Sequence, residues 1–142
     1  MFLGTYTPKL DEKGRFFLPA KFREQLADGL VITVQQDRCL AIYPPPTFEE
    51  MTRQVMSAPA TVKHVRDFQR MLAAGASDQV PDKQGRVFIP QNLRTYAGLD
   101  KDIVVIGAIN RLEVWDADSW QDYSAEQEPV FAEMNGEVFP GI

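Results

Sequence analysis

Arg15 and Arg86 close the same five-residue pattern, Asp11-x-x-Gly14-Arg15 and Asp82-x-x-Gly85-Arg86, seventy-one positions apart. A guanidinium is a flat fork of donors that can grip a phosphate or the O6/N7 edge of guanine with two bonds. The aspartate three residues before each glycine can accept amide hydrogens of a turn, and glycine tolerates a positive φ because it has no Cβ. Lys13 and Lys83 stand one and two positions before their glycines and add positive charge to each tip. A purely structural reading gives each arginine to its own aspartate. An exposed pair of that kind contributes only about 0–1 kcal/mol, which accounts for Asp and Gly better than for Arg. Residues at this spacing therefore suit a charged loop offered to an anionic partner.

The pattern belongs to a longer repeat. Phe16-Phe17-Leu18-Pro19 returns as Val87-Phe88-Ile89-Pro90, Phe22-Arg23 as Leu93-Arg94, and, after a one-residue slip, Leu40-Ala41-Ile42-Tyr43 as Leu112-Glu113-Val114-Trp115. Two similar halves most simply form a pseudo-twofold unit that presents two equivalent loops to one partner. The copies differ in charge: Lys9 is matched by Val80 and Lys21 by Asn92, so the first loop is the more basic.

Other chemistry finds little support. His64, the only histidine, lies between the copies, and Cys39 leads into an apolar run that suits a packed thiol. No zinc-protease, dithiol, nucleophile-elbow or phosphate-loop pattern occurs, and the C-terminal acids match no calcium loop. We expect no enzyme activity, metal, cofactor or small-molecule substrate.

Net charge is −5, yet the distribution is uneven. All 15 Lys and Arg residues fall within positions 1–112, a stretch with net charge +3, whereas 113–142 hold eight acids and no base. Lys9, Lys13, Arg15, Lys21 and Arg23 cluster around the first loop, and a local basic face matters more to phosphate binding than the total. No apolar run reaches the roughly 18–20 residues of a membrane span. Charges near the N-terminus leave no room for a signal peptide, and one cysteine fits a reducing compartment. A cytoplasmic protein without a membrane partner is expected.

The elements that must position the loops follow from pattern. Positions 2–10 and 15–18 read as strands about a Gly14 hairpin, followed by a short helix from Pro19 to Leu26. Leu30–Val34 and Cys39–Tyr43 read as paired strands joined by a polar turn. Arg86–Ile89, a Pro90–Tyr96 helix, and strands Asp102–Ile106 and Leu112–Trp115 repeat the order. Helices are expected from Thr47 to Met56, from about Thr61 to Ala74 with Gly75 closing it, and from Ser119 to Gln127. Each copy is marginal alone, which favours halves folded against each other over two independent beads.

The doubled motif, the opening Met1-Phe2-x-Gly4 and the Arg111-x-x-x-x-Asp116-x-x-Ser119-Trp120 stretch resemble the MraZ family of bacterial transcriptional regulators, over nearly the whole chain to about position 125. The resemblance implies a β-rich α+β fold of two tandem AbrB-like swapped-hairpin halves in a pseudo-twofold β-barrel with short flanking helices. The halves would span 5–47 and 76–119, separated by a helical linker at 48–75 and followed by a C-terminal helix and acidic tail at 120–142. It further implies a ring-like homo-oligomer, associated with the nucleoid, that binds short direct repeats upstream of its own gene in a division and cell-wall cluster. Carried over by position, Arg15 and Arg86 read DNA from loops shaped by Asp11, Gly14, Asp82 and Gly85. Lys9, Lys13, Lys21, Arg23, Lys83 and Arg94 are the remaining candidate DNA contacts. The alternative is an antitoxin-like interaction module that uses the acidic segment around Phe131 and Phe139.

Overall fold

The computed structural model of the chain describes residues 1–134, 138 and 139. In chain order the first half contains β1 (Thr5–Tyr6), β2 (Arg15–Phe17), α1 (Ala20–Leu26), β3 (Leu30–Gln35), β4 (Cys39–Tyr43) and α2 (Pro45–Ser57). After α3 (Lys63–Gly75), the second half repeats the series as β5 (Ser77–Gln79), β6 (Arg86–Phe88), α4 (Gln91–Ala97), β7 (Ile103–Gly107), β8 (Leu112–Asp116) and α5 (Ala117–Glu133). The fold is α+β, built from two tandem halves.

Strand order makes the internal symmetry visible. The main sheet runs β1-β7-β8-β4-β3-β5, which reads the same from either end once each strand is exchanged for its counterpart in the other half. At its centre Ala41 pairs with Glu113, its own repeat equivalent. A separate two-stranded ribbon joins β2 to β6, and there Phe16 pairs with Val87, again its own equivalent. The pseudo-twofold axis therefore passes through both pairs.

Between sheet and ribbon lies the core. Phe16, Leu18, Phe22 and Leu26 of one half and Val87, Ile89, Leu93 and Ala97 of the other meet Leu30, Ile32, Leu40, Ile42 and their counterparts on the inner face of the sheet. The outer face is also covered, which explains why β4 is apolar and buried throughout rather than alternating. Trp120 and Tyr123 of α5 pack on Trp115 with ring centroids 5.2 and 4.8 Å away. The Thr33 hydroxyl donates to the Leu72 carbonyl at 2.8 Å and ties α3 to β3.

Several expectations are corrected. The N-terminal strand shrinks to Thr5–Tyr6, flanked by single bridges Phe2–Ile109 and Lys9–Asp102. Gly14 does not fold β1 back onto β2: β1 pairs with β7 and β2 with β6, so each motif strand finds its partner in the other half. Pro19 and Pro90 cap α1 and α4 from just outside the helix. Gly75 is the last residue of α3, not a left-handed cap. A Cβ there would lie 3.2 Å from Val34, so its smallness serves packing of α3 on β3. The last helix is longer than the pattern suggested, running to Glu133, and it starts earlier because Asp116 caps it: the carboxylate accepts from the Ser119 amide at 3.1 Å. Of the acidic tail, residues 135–137 and 140–142 lie outside the described residues.

Candidate nucleic-acid interface

Both Asp-x-x-Gly-Arg loops are closed by the same hydrogen bonds. Asp11 Oδ1 accepts from the amides of Lys13 and Arg15, each at 2.9 Å, while Oδ2 accepts from Arg15 Nε at 2.9 Å. Asp82 repeats this with the amides of Gln84 and Arg86 at 2.9 Å and Arg86 Nε at 2.7 Å. Gly14 (φ +83°) and Gly85 (φ +78°) adopt the left-handed geometry that the tight turn demands. The arginine amide hydrogen bond is the main reason both carboxyls are held below their ordinary value, with the guanidinium adding to it. Each aspartate thus stays ionised, fixes its arginine through Nε, and leaves the Nη edge without a hydrogen bond among the described residues.

Register decides where those arginines point. Arg15 lies opposite Phe88, and Phe17 opposite Arg86. Side chains directly opposite on an antiparallel pair share a face, so these four project together while Phe16 and Val87 fill the core. Arg15 and Arg86 are diagonal neighbours, with Cα atoms about 7–8 Å apart. The Arg86 guanidinium sits 5.9 Å from the centroid of the Phe17 ring. Phe17 and Phe88 are 50% and 44% exposed, which makes this face part apolar, part cationic. Sequence reasoning missed the two phenylalanines. In Phe16-Phe17-Leu18 every residue is apolar, so alternation alone does not say which one faces outward.

Arg23 and Arg94 occupy crossed positions. Arg94 Nε donates to the Ile89 carbonyl at 2.9 Å, and the guanidinium then lies against Gly14 of the other half, 2.8 Å from where a Cβ would stand. Arg23 does the same across the axis, bonding the Leu18 carbonyl at 3.1 Å and covering Gly85. Each loop is therefore completed by an arginine from the opposite half. Lys13, Lys83 and Lys21 are exposed. Lys9 is also exposed but already engaged, in an ion pair with Asp102.

Elsewhere the groups singled out for other chemistry are apart. Cys39 is buried, and burial pushes its thiol strongly up, with the Glu113 charge beside it adding to the effect. Glu113 is itself occupied, accepting from Arg111 Nη2 at 2.8 Å and from the Trp115 indole at 3.2 Å. Among the described residues no three His, Cys, Asp or Glu side chains are grouped to hold a metal ion, and no helix is long and apolar enough to cross a membrane.

A family model described as "MraZ protein, putative antitoxin-like" matches residues 1–71 and again 72–137, one match containing each copy of the repeat. The chain belongs to the MraZ family. It is similar to the proteins named transcriptional regulator MraZ of Cutibacterium acnes, 70% identical over 98% of both chains, and of Thermobifida fusca, 60% identical over 100% of this chain and 99% of the other. The counterpart in Micrococcus luteus is 56% identical over the same shares. In this MraZ chain the ribbon is the one place where both motif arginines share a face.

Proposed function

We propose that the chain is a sequence-specific DNA-binding transcriptional regulator that inserts the β2–β6 ribbon into the major groove. One observation carries the reading: strand pairing across the halves sets Arg15 and Arg86 on a single exposed face. A major groove about 12 Å wide admits a two-stranded ribbon, and an Arg there can read guanine with two bonds. Lys13 and Lys83 supply phosphate contacts at the tips, and Arg23 and Arg94 hold the loops in register. The relatives' printed name, transcriptional regulator, supports the same reading. The site is direct repeats in the promoter of its own division and cell-wall gene cluster, where the protein is nucleoid-associated. The binding unit is a ring-like homo-oligomer, since linking weak readers raises avidity by about 10²–10⁴ when spacing matches. Val62, just before α3, and Phe68 on it are 43% and 42% exposed, and are available to seal copies together.

The test is a mobility-shift assay on the promoter fragment upstream of the gene. Arg15→Ala with Arg86→Ala loses specific binding, each change removing about 1–3 kcal/mol of discrimination, whereas Lys13→Ala lowers the salt slope by about 1. A double arginine variant that binds like the parent refutes the proposal. A second reading, an antitoxin-like module, draws on the family's description and on the end of α5, where Val130, Phe131 and Met134 are 50%, 75% and 50% exposed. Such a module needs that segment for its partner and tolerates the loss of Arg15.

A further inference from the structure

The ribbon presents two phenylalanines to solvent, and the pleat leaves them no other place. With Phe16 and Val87 committed to the core, Phe17 and Phe88 must face the same side as Arg15 and Arg86. Large apolar side chains on a face otherwise built of charge call for an apolar partner. In the major groove the base edges offer one apolar group, the C5 methyl of thymine, and Phe is among the side chains suited to it. We propose that Phe17 and Phe88 read thymine methyls beside the bases contacted by Arg15 and Arg86. This rests on the DNA-binding reading above and adds a second class of base to it.

Spacing supports the assignment. Arginine and phenylalanine alternate two residues apart on each strand, about 6.6–6.8 Å, comparable with two base steps of about 3.4 Å. Because the strands are antiparallel and related by the pseudo-twofold axis, the pattern is its own inverse. The ribbon therefore reads a short core in which thymine and guanine recur in inverted order. The two positions are supported by different means, one at its backbone and the other at its ring. The Phe88 amide donates to Gln79 Oε1 at 2.9 Å and its carbonyl accepts from Gln79 Nε2 at 2.7 Å. The repeat equivalent of Gln79 is Pro8, which has no side-chain amide, and Phe17 instead lies beneath the Arg86 guanidinium.

Deoxyuridine differs from thymidine only by this methyl, so the promoter fragment upstream of the gene, made with all thymine or all deoxyuridine, isolates the contact. The parent protein binds the deoxyuridine duplex more weakly, about fourfold per methyl buried and about 15-fold for two. Phe17→Ala/Phe88→Ala binds the thymine duplex about as weakly and is indifferent to the exchange, with the salt slope of the parent, since phosphate contacts remain. Equal binding of both duplexes by the parent protein overturns the inference without need of any variant. So does a double variant that keeps the parent's preference for thymine, or that loses affinity while the parent shows no preference, as a purely supporting role would give. If the parent protein does not prefer the thymine promoter fragment to a scrambled duplex, the DNA-binding proposal itself fails, and the two failures are told apart.

Discussion

Gly14→Ala tests whether the two halves build each loop together. The substitution carries two separable costs. At φ +83° an L-residue pays the left-handed penalty, about 1–2 kcal/mol. The new Cβ also falls 2.8 Å from the Arg94 guanidinium, which must swing away and give up its 2.9 Å bond to the Ile89 carbonyl, a net loss of about 1 kcal/mol. The total of about 2–3 kcal/mol lowers Tm by roughly 4–12 °C in a domain of this size, compared at equal protein concentration. In an Arg94→Ala background the second cost is already gone, so the same change removes only about 1–2 kcal/mol. A double-mutant cycle followed by thermal melting should therefore show coupling of about 1 kcal/mol between residues eighty positions apart. Gly85 and Arg23 should give the mirror-image result. Strict additivity of Gly14→Ala and Arg94→Ala refutes the crossed packing, and the claim that each half completes the other's loop falls with it.

Three further outcomes follow from the same geometry. Gly107→Ala places a Cβ into the backbone of Phe2 and Leu3, displacing the N-terminal segment and unburying Phe2; melting should show a loss of about 3–5 kcal/mol, shared rather than summed with Phe2→Ala. Because the folded-state carboxyls of Asp11 and Asp82 titrate below 3.8, their stabilisation of the loops is complete above that value and fades as pH falls through the lower folded values. NMR titration should place both midpoints below 3.8, and a midpoint above it contradicts the turn described here. Cys39, buried with its thiol pushed up, should resist a thiol reagent at neutral pH until denaturant is added; rapid labelling of the native protein counts against that burial.

Much of this was legible in the residues, for physical reasons that also set the limit. The turn itself is local: an aspartate, a glycine and an arginine at fixed spacing supply its hydrogen bonds and its positive φ, so pattern sufficed for the turn though not for the arginine that covers it from the other half. Strands β3, β4, β7 and β8 announced themselves as apolar runs bounded by turn residues. Pairing partners were not legible, because Arg15–Phe17 carries the same outward and inward alternation whether it meets its own half or the other. Arg23 and Arg94 read as free cations for the same reason. Nothing near them in the chain reveals that Gly85 and Gly14 lie beneath them. Lys9 reads in the sequence as one of the loop charges, because its partner Asp102 stands ninety-three positions away.

The symmetric scaffold carries unequal halves, and the inequality bears on how such a reader would meet its site. Phe88 is braced by Gln79 through both backbone groups, while Pro8 stands at the equivalent place beside Phe17. Lys21 on α1 has Asn92 as its counterpart, and Lys9 in its pair with Asp102 is matched by an exposed Val80. Arg94 is half-buried over Gly14, whereas Arg23 is exposed over Gly85. A ribbon with a true twofold axis would bind a palindrome equally well in either orientation. This one has one end braced by Gln79 and one carrying the additional Lys21, so on the proposed function one orientation on duplex DNA is favoured. If copies of the chain then meet head to tail, each with its ribbon in that orientation, the sites they read must recur in the same direction along the strand. On the proposed function, direct repeats rather than inverted ones are what an asymmetric reader in a closed ring of like subunits requires.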